Sequence, residues 1–135
     1  MVSLRKRSLE GEMLPVTSIV AALAALSLVA LSIAVSLRRK KVGVRLGFGE
    51  DPTLMRRIRA QGNFTEYVPL ALIVLAIAEY RQAPAVLLWT IGGLLIAGRC
   101  LHFAGIMTAR TPLSAPGMAG TYSALIIGAI TLLSI

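Results

Sequence analysis

From Leu14 to Leu37 the chain carries no ionisable side chain. As an α-helix, about 24 residues at ~1.5 Å rise give about 36 Å, enough to cross the ~30 Å hydrocarbon core of a bilayer. Arg38-Arg39-Lys40-Lys41 closes the run directly. Arg5-Lys6-Arg7 ahead of it gives the outline of a signal peptide. The run is longer than a usual signal core and a basic cluster follows it at once, so a retained transmembrane helix is the better reading. The rest of the composition agrees: 56% of the 135 residues are hydrophobic and only 15% are charged. A soluble domain of this size cannot hide that much apolar surface.

The net charge of +8 raises nucleic acid as a partner. The basic residues flank apolar runs, where they mark topology and attract anionic headgroups, so the lipid bilayer is the expected partner and nucleic acid is not. A single Cys100 excludes an intrachain disulfide and a cysteine-based metal centre. No His/Cys/Asp/Glu cluster has metal-ligand spacing, no metal is expected, and no glycine-rich phosphate loop is present.

Residues 1–12 read as a polar extension or a cloning scar, with Met13 an alternative start, and residues 13–135 as one transmembrane domain. The first span covers about 14–37. A basic, Gly-containing loop follows, and Asp51-Pro52 predicts the cap and first turn of a second helix over about 52–80. Pro69 lies inside that helix and predicts a bend. Arg81 to Pro84 is a short turn, which makes the flanking helices antiparallel. A third helix is expected over about 84–108, a loop with two prolines over 109–116, and an uncharged fourth helix over about 117–135. The fold class is therefore an all-α membrane protein, a bundle of four transmembrane helices.

Nine basic residues lie on one side (Arg38, Arg39, Lys40, Lys41, Arg45, Arg56, Arg57, Arg59, Arg110) and four on the other (Arg5, Lys6, Arg7, Arg81). That bias places loops one and three in the cytoplasm and both termini outside. Small residues at helical spacing, Gly120, Ala124 and Gly128 in the fourth helix and Gly93 and Ala97 in the third, predict close helix packing, within a subunit or between subunits.

The front of the second helix carries the chemistry. Arg59, Asn63, Glu66 and Leu70 share one helical face, Arg56 lies a turn ahead, and Tyr67 sits beside Glu66. The end of the third helix adds Arg99 and His102 at the same membrane level. The plain reading pairs Glu66 with Arg59 or Arg99, fixing helix register. Three arginines against one carboxylate leave an excess of cation, which calls for an anion from outside. Arginines suit its carboxylates, Glu66 an ammonium, and Asn63 and Tyr67 its amides.

Arg59-Ala60-Gln61-x-Asn63-x-x-Glu66-Tyr67-x-Pro69 resembles the signature of the MAPEG family, membrane-associated proteins in eicosanoid and glutathione metabolism. Arg38, 21 residues before Arg59, and Arg99, Gly105 and Pro116 extend the resemblance over nearly the whole chain from Leu14, most closely to the small bacterial branch. It implies a left-handed four-helix bundle in the bacterial inner membrane, assembled as a homotrimer, with glutathione as co-substrate between subunits near the cytosolic surface. By position Arg38, Arg59, Gln61, Asn63, Glu66, Tyr67 and Arg99 would contact it. Gln61 points away from the Arg59 face and so toward a neighbouring subunit or a loop.

The family mechanism implied is thiol activation: a cation near the sulfur stabilises the thiolate, which attacks a hydrophobic electrophile, as in a glutathione transferase or peroxidase. Where leukotriene-synthesising members carry a catalytic arginine this chain has Leu113, and where they carry two tyrosines it has His102 and Ile106. Arg110, three residues before Leu113, and His102 are the candidate activators. His102 reads equally as an interfacial residue bonded to a loop, Tyr122 as a packing residue within reach of a ligand, and Cys100 as packing. The alternative function is a non-catalytic membrane protein whose arginines hold an anionic lipid headgroup or another small anion.

Overall fold

The computed structural model describes residues 14–109 and 111–135. The polar stretch over 1–12 and the candidate activator Arg110 lie outside the described residues. Four helices follow one another: α1 (Pro15–Val42), α2 (Pro52–Tyr80), α3 (Ala85–Thr108) and α4 (Thr111–Ser134). Each is long and apolar enough to cross a membrane, and the protein is a four-span membrane bundle.

Two carboxylates fasten α1 to α2, one at each end. Leu14, the residue before α1, offers no capping side chain. Glu79, near the end of α2, supplies the cap instead: Oε1 accepts from the Val16 N–H at 2.8 Å and Oε2 from the Thr17 N–H at 2.7 Å. A buried negative charge there satisfies two orphan donors and meets the positive end of the helix dipole. At the other end, Asp51 caps α2 by accepting from the Leu54 N–H at 2.5 Å, the role its place before Pro52 predicts. The same carboxylate takes a two-point ion pair from Arg38 of α1, with Nη2 at 2.7 Å and Nε at 3.1 Å. Further ties run between the two helices from Arg57 Nη1 to the Ala34 carbonyl at 2.6 Å and from Gln61 Nε2 to Ser32 Oγ at 2.8 Å.

The core is one apolar cluster. α2 contributes Phe64, Val68, Ala71, Leu75 and Ala78, spaced three and four apart on one stripe. Against it stand Val16, Val20 and Ala24 of α1, Leu88, Ile91 and Leu95 of α3, and Ala124 of α4.

The most extensive helix contact joins α3 to α4. A Cβ added to Gly98 would meet the Gly117 carbonyl oxygen at 2.8 Å and the Thr121 nitrogen at 3.0 Å. One added to Gly105 would strike the backbone of Ser114, and one on Gly117 the backbone of His102. Gly120 faces the Gly98 Cα, Ala124 is fully buried, and a Cβ on Gly128 would strike Val74 of α2, so the small-residue stripe of α4 packs within the subunit. The predicted stripe of α3 does not: Gly93 and Ala97 are exposed, and the seam uses Gly98 and Gly105 instead.

The expected loop over 109–116 is mostly helix. Ala109 turns left-handed, with φ 55°, and α4 begins at Thr111. Pro112 falls in the first turn, where a missing N–H is harmless. Pro116 costs α4 one internal bond, and the backbone contact of α4 with Gly105 and His102 holds that turn in place. At its other end, α1 continues past Leu37 through Arg38 to Val42 and stops where Gly43 adopts φ 70°.

The seam makes a testable contrast. Gly98→Ala should lower unfolding stability by about 1–3 kcal/mol, because the obstructing atoms are backbone. Gly93→Ala, whose Cβ meets nothing within 4 Å, should change it by less than about 0.5 kcal/mol. Denaturation in mixed micelles, followed by circular dichroism, reads both, and a large loss at Gly93 would mean that this stripe packs against another copy of the chain.

Candidate functional site

The face of α2 opposite its core stripe carries Arg59, Asn63 and Glu66, then Leu70, Ile73 and Ile77 one turn after another. Arg59 and Glu66 are exposed on the subunit surface, and Asn63 is half-buried with its Nδ2 donating to the Arg59 carbonyl at 3.4 Å. Among the described residues the one ion pair is Arg38 with Asp51. Glu66 therefore pairs with neither Arg59 nor Arg99, and the plain reading of an internal register-fixing pair does not hold within the subunit.

Arg99 is placed quite differently. Its side chain turns inward under α2 and is only 7% exposed. Nε and Nη2 both donate to Thr121 Oγ1, at 3.0 and 2.6 Å. Nη1 donates to the Asn63 carbonyl at 3.3 Å, and Nη2 lies 3.1 Å from the Met118 sulfur. The guanidinium carbon sits 5.7 Å from the centroid of the Tyr67 ring. Every one of these partners is neutral. A buried cation held by dipoles and a π-face keeps its full charge, so its field extends to whatever lies beside it. Thr121 Oγ1 in turn donates to the Gly117 carbonyl one turn back, at 3.2 Å, which leaves its lone pairs for the arginine.

Tyr67 bridges the buried and exposed parts. Its ring meets Tyr122 of α4 edge-on, centroids 5.7 Å apart at 64°, and the two hydroxyls are 3.4 Å apart. Asn63, Tyr67, Arg99 and Tyr122 are thus linked across α2, α3 and α4, and the exposed Glu66 lies next to Tyr67 in the chain. An apolar cavity of about 240 Å³ opens on the other side of Arg99, between α1 and α3, lined by Ser27, Leu31, Ala34, Phe64, Cys100 and Phe103 among others.

The remaining site residues lie elsewhere. Arg38 is engaged with Asp51, and Gln61 reaches Ser32 of its own subunit rather than a neighbour or a loop. His102 lies in the α3–α4 seam, where Nδ1 is 3.2 Å from the Ser114 carbonyl of α4. A carbonyl only accepts, so Nδ1 carries a proton, and the buried Nε2 has no partner among the described residues. Sequence reasoning missed Thr121 and Met118 as the Arg99 cradle and Asp51 as the Arg38 partner. The signal for Thr121 was its place in the α4 small-residue row, where Gly117, Thr121, Ala124 and Gly128 are spaced four, three and four apart.

Comparisons with known proteins agree with this architecture. The model of the MAPEG family matches residues 17–134. The chain is 31% identical over 112 residues to the inner membrane protein YecN of Escherichia coli strain K12, covering 83% of this chain and 86% of that protein. The protein of the same name from Escherichia coli O6:H1 matches to the same extent.

The Arg38 guanidinium and the Leu54 N–H both hold the Asp51 carboxyl below the ordinary carboxylate range. A depressed folded-state pKa contributes stability that is fully present above the unfolded value of about 3.9 and is lost as pH falls through the folded value. Protection of the 43–51 loop amides against hydrogen exchange should accordingly drop on acidification below about pH 4. In Asp51→Asn that step should vanish, with protection reduced at neutral pH as well.

Proposed function

This chain belongs to the MAPEG family, and from that membership we propose that it binds glutathione on the Arg59–Asn63–Glu66 face. One observation carries the reading: Arg59 and Glu66 stand exposed, without an ion-pair partner among the described residues, on the surface of a membrane-spanning helix. Opposite charges left on such a surface are costly in lipid, so the face is completed by a polar ligand and a second copy of the chain. Glutathione offers both signs. Its carboxylates suit Arg59 and the field of Arg99, its ammonium suits Glu66, and its amides suit Asn63 and Tyr67.

The assembly in this reading is the family homotrimer, in the inner membrane that the YecN relatives name, with loops one and three cytoplasmic and both termini outside. A hydrophobic electrophile is the natural second substrate, and the apolar cavity beside Arg99 is a seat for it. The thiolate sulfur would attack the electrophilic carbon, forming the C–S bond as the leaving group departs with its electron pair. With its Nδ1 proton committed to Ser114 and its ring in the seam, His102 serves position rather than thiol activation. Arg110 remains the candidate cation for that step. Leu113, where the family's leukotriene-synthesising members place an arginine, favours a second reading, in which the same face holds an anionic headgroup or small anion and no reaction follows.

Calorimetric titration of glutathione into the detergent-solubilised protein should show saturable binding. Arg59→Ala and Glu66→Ala should each weaken it about tenfold or more, corresponding to ~1.4 kcal/mol per factor of ten. Thiolate absorbance and conjugation to a chlorodinitrobenzene, with release of chloride, then separate the readings. Binding with neither signal leaves the non-catalytic one, and no binding by the unaltered chain removes glutathione as the ligand.

A further inference from the structure

The α1–α2 loop is built in a way that neither the family nor the α2 face explains. It turns back through three left-handed glycines, Gly43, Gly47 and Gly49, with φ of 70, 67 and 54°. It is pinned from α1: Arg39 Nη1 donates to the Gly47 carbonyl at 2.6 Å and the Arg45 carbonyl at 3.3 Å, and Arg38 holds Asp51. The pinned loop turns Val44 back toward Gly49 but presents Leu46 and Phe48 outward. Leu46 is 89% exposed and Phe48 48%. A water-facing turn gains nothing from displaying a leucine and a phenylalanine.

The surroundings supply the other half. Lys40 and Lys41 in the last turn of α1 and Arg45 in the loop are exposed, with no ion-pair partner among the described residues. Asp51 is neutralised by Arg38, which leaves Glu50 as the loop's one exposed acid. The loop also stands at the right depth. The charge-free part of α1 ends at Leu37, so the first cations lie where the hydrocarbon gives way to headgroups, and the loop folds back beside them. Apolar side chains accompanied by lysine and arginine at that level match an interfacial anchor on anionic lipid.

We infer that the α1–α2 loop docks on the membrane's own surface: Leu46 and Phe48 enter the boundary between headgroups and acyl chains, and Lys40, Lys41 and Arg45 bind the phosphates of anionic phospholipids. The occupant is lipid rather than a protein segment because a headgroup phosphate complements the basic residues and an acyl boundary complements the tip. This surface is separate from the Arg59–Glu66 face and stands whether or not that face binds glutathione.

The test uses the full chain in vesicles of phosphatidylcholine with or without phosphatidylglycerol. Phe48→Trp in a Trp89→Phe background should fluoresce to the blue of a water-exposed indole. Lipids brominated near the headgroup end of the acyl chain should quench it, and aqueous iodide should not. Lys40→Gln/Lys41→Gln/Arg45→Gln should lower the preference for phosphatidylglycerol about tenfold or more and flatten its salt dependence. Arg81→Gln, on the opposite side of the bundle, should leave that preference unchanged. Three results would each overturn the inference: iodide access to the indole in vesicles, shielding from iodide without quenching by the brominated lipids (protein covering the loop), or a triple variant no weaker than Arg81→Gln.

Discussion

Everything in the candidate site rests on how closely the backbones of α3 and α4 approach. Gly98 and Gly105 on one helix and Gly117 and Gly120 on the other leave no room for a side chain between them. That contact sets Thr121 beneath Arg99, and Thr121 receives two of the guanidinium's hydrogen bonds. In lipid there is no water to solvate an arginine, so a cation can be kept there only if fixed dipoles replace its hydration. Thr121 and Met118 of the seam supply them together with the Asn63 carbonyl of α2, with the Tyr67 ring above. Once Arg99 is fixed, so are Tyr67 and, through its hydroxyl, Tyr122.

The carboxylates divide their work by position. Glu79 and Asp51 are structural, one capping α1 and the other capping α2 while gripping Arg38. Each satisfies backbone donors that would otherwise be orphaned at a helix start, and each ties α1 to α2. Among the described residues Glu66 makes no such tie, and neither does Arg59. The contrast within one helix sorts its charged residues into those that complete the fold and those that face outward. Arg57 belongs to the first group through the Ala34 carbonyl.

Much of this was legible in the chain, for identifiable reasons. Long uncharged runs have few solutions in a bilayer, so four helices could be read directly. The Asp51 cap was readable because a cap is local, and the Arg59–Glu66 face because seven residues make nearly two turns. The α4 start was misread because two prolines look like a loop, whereas Pro112 is harmless in a first turn and Pro116 is tolerated where α3 holds the backbone. The α3 stripe takes no part in packing within the subunit, for a related reason. Glycines mark where close packing is allowed, and Gly93 and Gly98 differ only in whether a partner is there.

Periodicity, charge-free length and local caps act over a few turns, so the linear chain already specifies a four-span membrane protein of recognisable family with a polar face at the front of its second helix. Which arginine is buried and which is displayed depends on how the helices pack. Arg38, Arg59 and Arg99 are chemically identical, yet one is clamped by Asp51, one is exposed, and one lies among Thr121, Met118 and Tyr67. That difference comes from partners up to a helix or more away in sequence, brought together by a glycine seam whose closeness no single helix encodes.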